Sequence, residues 1–135
     1  MGFHHISKAF QMHNLKIIFL VIFLHTLGFC FYTQFMPVFL VQKFDFNAAA
    51  IGTLFAFIGL LIALTQGLFL RIVIRFASPR KILRFSLLAL SILLFLIPSI
   101  PTVFLLYLIQ PFMSLAEGLT FPSTTTLVSE LSLKE

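Results

Sequence analysis

The chain reads as an all-α integral membrane helical bundle that crosses the bilayer about four times. Three observations predict this class. Sixty per cent of its 135 residues are hydrophobic. Only 10% are charged and the mean hydropathy is +1.11, whereas a soluble domain of this length needs far more polar surface to cover its small core. The apolar residues also fall into four long runs separated by short polar segments. About 20 helical residues cross roughly 30 Å of hydrocarbon, and a helix satisfies its own backbone amides within one segment.

The start, residues 1–14, is mildly basic and precedes an apolar run. That run is too long for the apolar stretch of a secretory signal, and no small-residue cleavage site follows it. Residues 1–14 are therefore read as a tail, with His4, His5 and His13 lacking metal-ligand spacing. The first span is expected over 15–41, with Pro37 kinking its far end. The segment QKFDFN (42–47) makes a short loop in which Asp45 or Asn47 caps the next helix. The second span is expected over 48–74 and is followed by the basic segment RFASPRK. The third is short, 82–97. Pro98 cannot continue the helical ladder and Pro101 biases Ile100 away from helix, so a tight turn follows. The fourth span is expected over 102–128, leaving 129–135 as a short end.

Arg71, Arg75, Arg80, Lys81 and Arg84 gather at the connection between spans two and three, five of the nine Lys and Arg. Lys8 precedes span one, Lys16 stands at its start and Lys134 follows span four, while the other two connections hold only Lys43, offset by Asp45. The positive-inside rule then places both termini and the basic connection in the cytoplasm. Positive charge confined to helix ends is a topology signal, so the net charge of +5 does not argue for nucleic acid. Nineteen Phe with no Trp reads as a preference for lipid-facing walls. Cys30, the one cysteine, lies inside an apolar run and is expected as a small buried hydrophobe.

Within the spans the polar residues are few. On span four, Tyr107, Gln110, Ser114, Glu117 and Thr124 fall within about a third of the circumference at 3.6 residues per turn. A carboxylate as deep as Glu117 costs several kcal/mol unless it faces a bundle interior or a water cavity. It is read either as a structural partner within the bundle or as a carboxyl that exchanges a proton as a cavity opens and closes. Pro111 and Pro122 bracket the stripe and each frees a carbonyl or bends the helix. Span two carries Gly52, Ala56, Gly59, Ala63 and Gly67 on one face, a small-residue stripe that allows a second helix close approach. Gln66 beside it could bond across that interface. Span one places His25, Gly28, Tyr32 and Met36 on one face, with Gln34 opposite; His25 is read first as an interhelical donor. No nucleotide loop, metal quartet, cofactor motif or nucleophile–base pair is present in the sequence, which argues against an enzyme.

Three stretches resemble the major facilitator superfamily, in particular its drug and tetracycline efflux branch, at the start of the second six-helix half. FYTQFMPVFLVQKFDFNAAAIG is similar to that half's first helix, outer loop and entry to the next helix. TQGLFLRIVIRFASPRKIL resembles the degenerate copy of the signature cytoplasmic loop: Gly67 matches its opening Gly, Arg75 lies within it, and Arg80 and Lys81 match its closing basic pair. Arg71 stands where the strong form carries an Asp. EGLTFPSTTTLVSEL resembles the Gly-x-x-x-Pro stretch of the fourth helix, matched by Gly118 and Pro122.

The resemblance implies a permease moving a small-molecule substrate, with protons as a coupling ion, in a bacterial inner membrane. That family has twelve helices, so four spans imply a segment completed by further helices of the same permease. The alternatives are a self-contained four-helix exporter acting as a dimer, or a membrane subunit that does not transport. The bilayer is the one partner common to all three.

Overall fold

The computed structural model describes residues 13–134, with side chains from residue 15 to residue 132. His4, His5 and Lys8, and the side chains of His13 and Lys134, lie outside the described residues. Among these residues every regular element is helical. Helix α1 spans His13–Phe44 and runs unbroken through Pro37. It ends where Asp45 takes a left-handed backbone (φ 53°), with its N–H bonded to the Val41 carbonyl. Asn47 then caps α2 (Ala48–Leu64): its side-chain oxygen accepts from the Ala50 N–H at 2.8 Å. The loop is only 45–47, because Gln42 and Lys43 belong to α1.

Helix α2 does not run straight into the next segment. A π-helical turn, Thr65–Phe69, separates it from α3 (Leu70–Phe76). Extended Ala77 and Ser78 lead to α4 (Pro79–Leu96), with Pro79 in the first turn, where its missing N–H is not needed. The basic segment is therefore mostly helix rather than loop: Arg71 and Arg75 sit on α3, and Arg80, Lys81 and Arg84 on α4. A 3₁₀ turn, Ile97–Ser99, and extended Ile100 make the turn expected at the two prolines. Helix α5 spans Val103–Lys134 and continues through both Pro111 and Pro122. Helix runs past the expected spans at Phe44, Phe76, Pro79 and Lys134, because apolarity marks the hydrocarbon while helix continues into the interface. Four stretches are long and apolar enough to cross a membrane: Leu15–Phe44, Ala48–Phe76, Pro79–Ser99 and Val103–Ser132.

α5 is the hub, and α1, α2 and α4 each pack against it. Met36 and Leu40 of α1, Leu54 of α2, Leu90 of α4, and Leu106, Met113 and Ala116 of α5 form the core. At the end holding the α1–α2 loop, the Lys43 ammonium donates to the Pro98 carbonyl and lies 5.3 Å from the Phe39 ring centroid. That contact ties the end of α1 to the α4–α5 turn.

One expected packing face finds no partner among these helices, and one expectation is corrected. Gly52, Ala56, Gly59, Ala63 and Gly67 lie on the exposed face of α2 and its π turn, and a Cβ at any of the three glycines would meet nothing within 4 Å. The close approach occurs instead at Gly118 of α5, whose absent Cβ would lie 2.8 Å from Thr65 Cβ and Cγ2. Cys30 is exposed rather than buried. An apolar helix in lipid has no obligation to turn its small or weakly polar residues inward, since lipid tails are as apolar as the core.

Candidate functional site

The polar stripe of α5 faces the bundle. Gln110 and Ser114 are buried, and Glu117, one turn on, has a side chain 14% exposed. α1 crosses this stripe with the face that repeats at steps of four, three and four: His25, Phe29, Tyr32 and Met36. All four are buried or half-buried, whereas Gly28 is exposed. The crossing places His25 Nε2 3.2 Å from Glu117 Oε1. Either the ring N–H donates to the carboxylate, or a protonated carboxyl donates to the ring nitrogen. In both cases one proton lies between the two groups. His25, with its side chain 12% exposed, is flanked by the Phe29 ring, centroids 6.4 Å apart. It is the interhelical partner that the sequence suggested, and its partner is the acid on α5.

Beside Glu117 lies a cavity of about 10 Å³, of the order of one water. Tyr32, Gln110, Ser114 and Glu117 line it together with apolar residues of α1, α2, α4 and α5. Glu117 Oε2 is buried there without a hydrogen-bond partner among the described residues, and the buried Tyr32 hydroxyl and Gln110 side chain interact with each other. These atoms offer donors and acceptors in one spot, a composition suited to relaying a proton or holding a small polar group. Ser114 is turned slightly aside, with its hydroxyl donating to the Ile58 carbonyl of α2 at 3.5 Å. On its other side His25 borders a groove of about 360 Å³ between α1 and α4, lined also by Gly28, Ser91 and apolar side chains.

The remaining sequence candidates do not join this cluster. Tyr107 packs its ring against Phe57 of α2 at 5.8 Å and belongs to the core. Thr124 is buried and donates to the Phe121 carbonyl of its own helix at 2.7 Å. Gln66 is exposed on the π turn, so it bonds across no interface within the bundle. Gln34 is exposed, as expected for the face opposite His25. Gly67, Arg71, Arg75, Arg80 and Lys81 are all exposed, away from the His25–Glu117 cluster. Pro37, Pro111 and Pro122 lie inside unbroken helices, where Pro111 leaves the Tyr107 carbonyl and Pro122 the Gly118 carbonyl without an i+4 donor.

Phe29 and Thr65 were missed by the sequence reading. The step from His25 to Phe29 is a helical neighbour relation, but an aromatic in a Phe-rich span carries no mark of its own. Thr65 matters only because Gly118 comes against it, which no local pattern encodes.

No curated protein and no solved structure matches the chain. The sequence family described as Major Facilitator Superfamily matches residues 5–135, almost the whole chain. That match, on a bundle of four membrane-length apolar helices, establishes that the chain belongs to the major facilitator superfamily of membrane transporters.

Proposed function

We propose that this chain forms the part of a proton-coupled secondary transporter that carries the coupling pair, His25 and Glu117. The observation that carries the reading is the 3.2 Å contact between an imidazole of α1 and a carboxyl of α5 at membrane depth. An isolated charge there costs several kcal/mol, so acid and base are most stable together and neutral. Moving α1 away from α5 leaves Glu117 a choice between taking up a proton and taking up a cationic or polar substrate. That choice is the elementary step of proton exchange against substrate. Tyr32, Gln110 and Ser114 supply the polar lining through which the proton reaches Glu117 Oε2.

The substrate class that fits is small and largely apolar, in keeping with the efflux-branch resemblance of the three motifs and the Phe-rich walls. Positive charge at Lys16 and from Arg71 to Arg84 supports a cytoplasmic placement for that end of the bundle, with both termini on the same side. The efflux-branch resemblance suggests a bacterial plasma membrane as the setting. The exposed small-residue face of α2 supports further helices, of the same permease or of a partner, seated beside it.

The test uses membrane vesicles containing the protein, with ethidium as an apolar cationic probe and an imposed pH gradient. Glu117→Gln is expected to abolish gradient-driven ethidium movement and to remove a carboxylic-acid C=O band from the pH-difference infrared spectrum. Unchanged flux in Glu117→Gln overturns the reading.

A further inference from the structure

α1 and α4 both pack on α5 but do not close against each other, and the seam between them is open. At the basic end the seam is a groove of about 360 Å³. Its walls are Ile18 and Val21 of α1, Leu83 and Leu87 of α4, and Leu127 and Leu131 of α5, with Arg80 and Arg84 completing the lining. Val21 and Leu87 also line the next cavity along the seam, which reaches Leu94, so the two adjoin. From Arg80 to Leu94 the seam follows α4 for roughly 21 Å at 1.5 Å per residue. The hydrocarbon of one leaflet is about 15 Å deep. The groove is thus long enough for an acyl chain.

Its charge is as specific as its length. Arg80 and Arg84 are one helical turn apart on the same face, where like charges repel. Both are exposed, and neither has a carboxylate within ion-pair distance among the described residues, where the one ion pair is His25–Glu117. Lys81, Arg71 and Arg75 add positive charge nearby, and the nearest acid along α5, Glu130, is exposed and makes no ion pair with them. Two cations a turn apart beside an apolar groove are the complement of a phosphodiester joined to a fatty chain.

We propose that this seam binds one anionic phospholipid, its phosphate held between Arg80 and Arg84 and one acyl chain laid along the α1–α4 groove. The arginine forks grip phosphate oxygens in two directions at once, and the bound anion relieves their mutual repulsion. A zwitterionic lipid brings its own cation to a region that already has an excess of them, so it binds more weakly. The site does not depend on which leaflet holds the basic end, nor on the role given to His25 and Glu117.

The experiment is native mass spectrometry of the full chain, delipidated in detergent and titrated with phosphatidylglycerol or phosphatidylcholine of identical chains. One phosphatidylglycerol is expected to be retained in preference. At about fivefold per arginine, Arg80→Gln with Arg84→Gln lowers that preference roughly twenty-five-fold. Arg71→Gln with Arg75→Gln leaves most of it. Leu87→Trp, which fills the groove but keeps both arginines, also displaces the lipid. Equal retention of the two lipids overturns the proposal, as does a preference that survives Arg80→Gln with Arg84→Gln. A lipid-free dimer formed through this face overturns it as well.

Discussion

His25 and Glu117 stand 92 positions apart in the chain and meet at 3.2 Å across two helices. Each alone is an expensive residue in hydrocarbon; together they satisfy one another, so removing one harms more than removing both. His25→Leu or Glu117→Leu alone is expected to lower stability in detergent, while the double variant recovers part of the loss. Interhelical polar pairs in membranes couple by about 0.6 kcal/mol on average and about 1.7 at most; this mutually satisfying pair belongs near the upper figure. A double-mutant cycle of reversible unfolding measures the coupling, and additive losses would count against a direct bond. The sequence disclosed the two residues as polar intruders in apolar runs. It did not disclose their partnership, because the pairing depends on where α1 crosses α5. The same limit hid the exposure of Cys30, which looked buried only because its neighbours are apolar.

Elements were the most legible scale wherever a residue acts on its own backbone. Asn47 caps α2 by a local bond to Ala50, and Pro98 and Pro101 bound a turn that any proline pair of that spacing encourages. The π turn at Thr65–Phe69 was not legible, since nothing in TQGLF distinguishes it from ordinary helix. Its position has a consequence for packing: Thr65, buried at its start, bonds back to the Leu61 carbonyl and lies against Gly118. Gly118→Ala would force a methyl to 2.8 Å from Thr65 Cβ, and overpacking of this kind costs about 1–3 kcal/mol. Gly59→Ala, with open space around its Cβ position, is expected to be neutral or slightly stabilising in the same helical bundle. Thermal unfolding of the two variants in one detergent checks the contrast, and equal effects would refute the close α2–α5 contact.

For the whole molecule the expected topology rests on charge placed at one end. In a Cys30→Ser background, Asn47→Cys should react with a membrane-impermeant maleimide in intact cells, and Ser78→Cys only after permeabilisation. The reverse pattern would invert the bundle and contradict the positive-inside assignment. Span number and the axial level of each polar residue were readable directly, because backbone amides in hydrocarbon must close their bonds within a helix, and that demand is written in run length and composition. Rotation of each helix about its axis was not readable. In water an apolar stripe points to the core; in lipid both sides of a helix are equally apolar, and the hydrophobic pattern no longer distinguishes inside from outside. The small-residue face of α2 accordingly turned outward, and the contact between α1 and α5 that joins His25 to Glu117 emerged only when the helices were packed.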